Sequence, residues 1–202
     1  MAQVIILSTH NQGKVRELRA LLEGLPVEVW GLEGFDIPPV VEDGETFLEN
    51  ALKKARTVAL ATGFTALADD SGLEVEALSW APGVYSARYA GPSATDADRN
   101  AKLLEALAGV PFERRRARFR CVAVVYHPSF RWFAVEGVCE GYIAEAPKGE
   151  YGFGYDPIFY LPEFGKTMAE LPPEVKNKIS HRARAMEKVR QILPGFLGLG
   201  QG

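Results

Sequence analysis

The chain has 202 residues, 23 Lys+Arg against 26 Asp+Glu, a formal net charge of −3, and is 47% hydrophobic and 24% charged. These are ordinary globular values that exclude disorder, collagen and coiled coil, and a mildly acidic balance disfavours non-specific nucleic-acid binding. Two cysteines, Cys121 and Cys139, build neither a disulfide framework nor a four-cysteine zinc site. The opening Met1-Ala2-Gln3-Val4-Ile5-Ile6-Leu7-Ser8 lacks a basic start and a long apolar run, so no signal peptide is expected. No apolar stretch approaches the ~18 residues that span a bilayer. The expectation is a soluble cytoplasmic protein with no membrane contact.

Residues 4–7 are a β-branched run ending in Ser8-Thr9-His10-Asn11, which predicts a buried strand. Val15, Leu18, Leu21, Leu22 and Leu25 then recur at helical spacing, and the helix is expected to stop near Gly24-Leu25-Pro26. Strand, polar turn and helix open an α/β protein. A short strand at 27–30 and a Pro-rich acidic loop at 34–44 follow. Thr46-Phe47-Leu48-Glu49 fits a capping box for a helix running to Gly63. Residues 64–68 predict a strand that runs into Asp69-Asp70-Ser71-Gly72, and 73–78 a further strand. A long irregular segment lies between Pro82-Gly83 and Gly91-Pro92. A helix is predicted over 95–108, with Thr95 or Asp96 as cap. Residues 116–126 and 131–144 alternate around His127-Pro128-Ser129-Phe130, which predicts a hairpin. A last helix begins near Ser180, with Ala183, Met186, Val189, Ile192 and Leu193 on its apolar face, and 198–202 are expected to fray.

Five clusters carry chemistry. Thr9-x-Asn11-x-x-Lys14 lies at a strand-to-helix turn, where backbone N–H groups, an amide and an ammonium attract phosphate. It is no Walker A loop, since Val15 follows the lysine, and an ordinary turn with an exposed lysine would read the same way. Asp69 and Asp70, placed after an apolar strand, offer hard oxygen ligands for Mg²⁺ where open sheets keep ligands, although acidic turns are common. Glu42, in an acidic stretch before a helix, could bring another carboxylate. Gly152-Phe153-Gly154-Tyr155-Asp156-Pro157 combines glycines that allow close approach with flat rings and an acceptor. Lys176 and Ser180-His181-Arg182 put cations at a helix start, against the dipole, which favours contact with an anion or a base carbonyl. The run Arg114-Arg115-Arg116, with Arg118 and Arg120, reads as a solvated edge.

Taken in order, these strings resemble the inosine triphosphate pyrophosphatase family. The carriers are Ser8-Thr9-His10-Asn11-Gln12-Gly13-Lys14, Thr46-Phe47-Leu48-Glu49-Asn50-Ala51, Ala68-Asp69-Asp70-Ser71-Gly72-Leu73, Pro82-Gly83-Val84-Tyr85-Ser86-Ala87-Arg88-Tyr89, the glycine loop, and Lys176 with Ser180-His181-Arg182. The resemblance covers nearly the whole chain. It implies an α/β fold with a mixed, bent β-sheet, helices on two lobes and a cleft between them, all in a single domain over 1–202. It further implies a homodimer that hydrolyses ITP, dITP and XTP to the monophosphate and pyrophosphate with Mg²⁺.

By that resemblance Thr9, Asn11 and Lys14 hold the triphosphate. Glu42 and Asp70 bind Mg²⁺, Asp69 supports the metal shell, and Asp70 accepts the proton of the attacking water. Ser71 touches substrate, while Phe153, Gly154, Tyr155, Asp156, Lys176, His181 and Arg182 hold the purine, with Phe153 stacked on it. A donor facing the 6-oxo group, from Lys176, His181 or Arg182, would disfavour a 6-amino base. Guanine also has a 6-oxo group, so its rejection needs exclusion at the 2-position. The rivals are a Maf-like pyrophosphatase with other base preferences, a nucleotide-binding regulator without turnover, and a phosphotransferase with Asp70 as nucleophile.

Overall fold

The computed structural model describes residues 3–199, so the expected fraying at 200–202 lies outside the described residues. Seven strands form one mixed sheet in the order β2-β1-β3-β4-β5-β6-β7. In chain order these are β1 (Gln3–Leu7), β2 (Val27–Trp30), β3 (Thr65–Val75), β4 (Arg116–Tyr126), β5 (Trp132–Ile143), β6 (Phe159–Leu161) and β7 (Lys166–Thr167). The helices are α1 (Gln12–Leu22), α2 (Phe47–Thr62), α3 (Asp96–Ala106), α4 (Pro173–Ile179) and α5 (His181–Phe196). β1 runs parallel to both β2 and β3, with Ile5 opposite Val29 and Thr65, whereas β5, β6 and β7 pair antiparallel.

The chain divides into two compact units. The first comprises 1–70, 121–137 and 182–202, the second 71–120 and 138–181. The first has apolar clusters of alternate parity. Ile5, Leu7 and Leu67 pack with Val15, Leu18 and Leu22 of α1 and with Ala185, Met186 and Val189 of α5. Ile6, Ala66 and Ala68 meet Ala51, Ala55, Val58 and Ala59 of α2. The alternation is the two-residue period of a strand buried on both faces. In the second unit, Leu73, Val75, Leu103, Leu107, Phe119, Ile143, Ile158, Phe159 and Met168 form the core.

The local rules hold at most element ends. Thr95 caps α3 in a reciprocal box with Asp98. Thr46 caps α2 through the Glu49 N–H, but the Glu49 carboxylate accepts from the Glu45 N–H at 2.7 Å, one residue earlier than a capping box requires. α2 ends at Gly63 with φ +75°, a left-handed conformation that costs glycine nothing.

Several expectations are corrected. The two strands expected at 64–68 and 73–78 are one, since β3 runs unbroken from Thr65 to Val75. Its acids therefore lie inside the strand and alternate across it. Buried polar partners replace the solvent that an acidic turn would have needed. The helix α4, with Pro173 in its first turn, was not anticipated, and Ser180 is its C-terminal cap as well as the residue before α5. Ile192 is exposed on α5 rather than in its apolar face. Arg115 is buried, not solvated: its guanidinium donates to the carbonyls of Leu107, Val110 and Ala144, closing the end of α3. Arg118 and Arg120 both clasp Glu74, with Arg120 Nη1 at 3.0 Å from Oε1.

The irregular segment contains a 3-10 turn over Gly83–Arg88 whose Ser86 is buried. Ser86 Oγ accepts from the Leu73 N–H at 2.9 Å and donates to the Gly83 carbonyl at 2.6 Å. Ser86→Ala leaves a buried N–H of β3 without its acceptor. Urea unfolding is therefore expected to show a loss of roughly 1–3 kcal/mol, whereas an unchanged midpoint would mean that the turn adds nothing to the second unit.

Candidate functional site

In the first unit, the turn after β1 is ordered by its own side chains. Thr9 Oγ1 accepts from the Asn11 N–H, and Asn11 Oδ1 accepts from the Lys14 N–H, each at 3.1 Å, which makes Asn11 the cap of α1. The cap uses the amide oxygen, so the donor half of Asn11 is the half available to an anion. Lys14, one turn into α1, places Nζ 3.4 Å from Asp69 Oδ1.

Asp69 and Asp70 are neighbours on β3 and so point to opposite faces of the strand. On the face of Asp69, Arg182 Nε donates to Oδ2 at 3.2 Å and Arg182 Nη1 reaches Glu17 Oε2 at 2.6 Å. Cys121 Sγ lies 3.8 Å from the same Oδ2. Arg182 is almost wholly buried; burial by itself would lower its proton affinity, but Asp69 and Glu17 outweigh it and hold the guanidinium charged.

On the face of Asp70, Asn50 Nδ2 donates to Oδ2 at 3.0 Å, and Asn50 Oδ1 accepts from the Gly44 N–H at 2.8 Å. One amide thus ties the acidic loop before α2 to the carboxylate. Lys54, one turn further along α2, donates to the Asp69 carbonyl and to Glu42 Oε1, both at 2.7 Å. Burial raises the Asp70 pKa above the usual carboxylate value, the charge of Glu42 adds to the rise, and Lys54, Asn50 and Lys14 oppose it. Burial works against the charge of Lys54, but Asp69 and Glu42 more than offset it, and its pKa is raised.

In the second unit, the glycine loop closes on a buried ion pair. Lys176 Nζ donates to Asp156 Oδ2 at 2.7 Å, and the Phe153 N–H donates to the same oxygen at 3.0 Å. Gly152, with φ +72°, allows this closure, because a Cβ there would fall 2.1 Å from Asp156 Oδ2. Phe153 is half-buried, and Lys176 Nζ lies 4.7 Å from its ring centroid, a cation–π distance. The His181 ring is buried and stacks on Phe119 with centroids 4.7 Å apart.

The structure sorts the residues expected from sequence. Thr9, Asn11, Lys14, Asp69 and Arg182 form one network, and Asp70 with Glu42 forms another through Lys54. Phe153, Gly154, Asp156 and Lys176 share the glycine loop, while Ser71 is half-buried on β3. Three roles expected from sequence meet a different geometry. Asp69, expected in a metal shell, has its oxygens against Lys14 and Arg182, on the strand face away from Asp70. Arg182, grouped from sequence with Lys176 and His181 on a base, places Nε and Nη1 on two carboxylates of the first unit. Tyr155, expected as a flat face for the base, is buried and donates its hydroxyl proton to the Ser86 carbonyl at 2.7 Å.

Asn50, Lys54 and Glu17 were missed as site residues. A signal existed for two of them. Phe47, Ala51, Ala55 and Val58 mark the buried face of α2, and Asn50 and Lys54 fall on that face at helical spacing. Polar residues at core-facing positions call for partners. Glu17 carried no such mark, because its partner is 165 positions away.

Residues 5–192 match the model of the Ham1 family. The dITP/XTP pyrophosphatase of Geobacillus kaustophilus is 56% identical over 199 residues, covering 98% of this chain and 97% of that protein. The protein of the same name from Geobacter sulfurreducens is 51% identical over 196 residues, covering 96% and 98%. Among solved structures, a HAM1 protein from Coxiella burnetii is similar with a TM-score of 0.87 and 46% identity, covering 96% of this chain and 99% of that one. The Ham1 protein of Staphylococcus aureus gives a TM-score of 0.83 and 41% identity, covering 96% and 100%.

The raised pKa of Asp70 has a consequence for stability. Its ionised form is disfavoured in the folded, metal-free chain, so that cost grows as pH rises above the ordinary carboxylate value of 3.8. Asp70→Asn is therefore expected to raise the Tm in EDTA at neutral pH, with the gain shrinking as pH falls towards 3.8. Thermal melts over that range check it, and a Tm lowered at neutral pH would contradict the assignment of burial as the dominant cause.

Proposed function

Because this chain belongs to the Ham1 family, we propose that it hydrolyses the non-canonical purine nucleoside triphosphates dITP, XTP and ITP to the monophosphate and pyrophosphate. The observation that carries the assignment of roles is the opposite placement of two adjacent acids. Asp69 lies against the buried Arg182 and the partly exposed Lys14, whereas at Asp70 burial outweighs the favourable partners and raises the pKa.

The donor set on the face of Asp70 fits Mg²⁺. Asp70 and Glu42 supply hard oxygens, Mg²⁺ commonly takes one or two carboxylates together with substrate phosphate, and the mutual repulsion of the two acids is what a divalent cation relieves. Asp70 and Glu42 would hold the ion. Asp69 instead fixes Lys14 and Arg182 in place. When bound, Mg²⁺ would neutralise phosphate charge and acidify water.

The protein's own groups supply the rest. Asn11 and the first turn of α1 offer donors to the triphosphate, and Thr9 holds Asn11 in its capping position. Lys14 adds positive charge for the leaving pyrophosphate. Asp70 accepts a proton from the attacking water. Lys54 steadies Glu42 beside it. The Phe153 ring, backed by Lys176, gives the purine a face to stack on, and His181 and Ser71 complete its surroundings. Gly154 and Asp156 shape that loop, and Tyr155 anchors it to Ser86. The same reading carries a homodimer and a cytoplasmic location. Among the described residues no helix is long and apolar enough to cross a membrane.

The test is pyrophosphate release from ITP, XTP, dITP, GTP, ATP and dTTP with and without Mg²⁺. The expected result is Mg²⁺-dependent release from the first three, with Asp70→Asn lowering kcat by roughly 10²-fold or more, as expected for loss of a general base. Release from dTTP in preference to the purines, or nucleotide binding with no release, would overturn the reading.

A further inference from the structure

The glycine loop is held by side chains that no sequence motif singles out as part of a site. Asp96 and Asn100 stand one turn apart on α3 and share a helix face. Asp96 Oδ2 accepts from the Gly154 N–H at 2.9 Å, and Asn100 Nδ2 donates to the Gly154 carbonyl at 3.2 Å. Both backbone groups of one residue are thus gripped by one helix. Arg99 holds the clip in shape: it pairs with Asp96 Oδ1 and donates to the Ala87 and Ala94 carbonyls at 3.1 and 2.8 Å. With Asp156 on the Phe153 N–H, three polar groups of the loop backbone are fixed by side chains.

Asn100 is 4% exposed, and its Oδ1 has no hydrogen-bond partner among the described residues. A buried acceptor left without a donor is costly. Turning the amide over would set that oxygen against the Gly154 carbonyl, so the loop dictates the orientation. The Nδ2 contact to Gly154 is thus kept at the expense of the other half of the amide.

We propose that Asp96 and Asn100 are positioning residues that clamp Gly154 and so set the Phe153 ring for the purine. This rests on the reading of the loop as the base site. Fixing a binding loop in its bound shape lowers the ordering cost of binding. The clamp therefore governs affinity for the nucleoside portion and leaves phosphate binding alone.

The experiment compares wild type with Asn100→Ala, Asp96→Ala and Asp96→Asn, which keeps an acceptor oxygen. It reads kcat and KM for ITP and the Kd for IMP and for inorganic tripolyphosphate. Both alanine variants are expected to raise KM for ITP and Kd for IMP by about 10-fold, the worth of one hydrogen bond to the loop. In both, kcat and tripolyphosphate affinity should stay within about 2-fold. Asp96→Asn should recover most of the loss. Unchanged IMP affinity in either alanine variant that folds overturns the clamp, and so does equal weakening of IMP and tripolyphosphate. A wild-type protein that neither binds IMP nor cleaves ITP overturns the base-site reading itself, and the clamp with it.

Discussion

A buried carboxylate cannot stay charged without cations, and the first unit is organised around meeting that demand for Asp69. Its oxygens draw in Lys14 from α1 and Arg182 from α5, and Arg182 draws in Glu17. One charge on β3 thereby ties together two helices far apart in sequence. Removing one partner from such a network typically costs about 3–5 kcal/mol, because a buried charge is left alone. The network also sets where Lys14 stands, and with it the cation at the turn after β1.

The second unit repeats the device in another place. Asp156, also buried, takes Lys176 and the Phe153 N–H on a single oxygen. The ammonium that neutralises it lies against the Phe153 ring. In each unit a compensated carboxylate fixes a neighbouring group: the Lys14 ammonium in the first, the Lys176 ammonium against the Phe153 ring in the second. Asp70 is the contrast. The Asn50 amide and the charges of Lys54 and Lys14 favour its ionised form, yet burial outweighs them, so its pKa remains raised. Perturbation of that kind is what acid–base and metal-binding sites require.

Much of the fold was legible because it follows local rules. The helical spacing of Val15, Leu18 and Leu22, the box at Thr95 and the alternating hairpin strands all report elements that form from neighbours in sequence. What misled was chemistry decided by tertiary partners. Asp69-Asp70-Ser71-Gly72 has the composition of a turn, yet it runs as a strand because Arg182, Asn50 and Lys54, all distant in sequence, satisfy the acids. Arg115 and Arg118 looked solvated for the same reason: their acceptors, the carbonyls at the end of α3 and Glu74, are not adjacent in sequence. The candidate site was legible as a set of residues and less so as a set of roles. Which carboxylate meets Arg182 and which meets Asn50 depends on strand faces that a break at 69–72 conceals.

Binding of a divalent cation separates the parts played by Asp69 and Asp70. Mn²⁺ titrations followed by electron paramagnetic resonance would compare the wild-type chain with Asp69→Asn and Asp70→Asn, each checked for folding by circular dichroism. Asp70→Asn is expected to lose Mn²⁺ binding, whereas Asp69→Asn, which keeps an oxygen for Arg182, is expected to bind it as the wild type does. Retention of Mn²⁺ by Asp70→Asn, or its loss from a folded Asp69→Asn, would contradict the account.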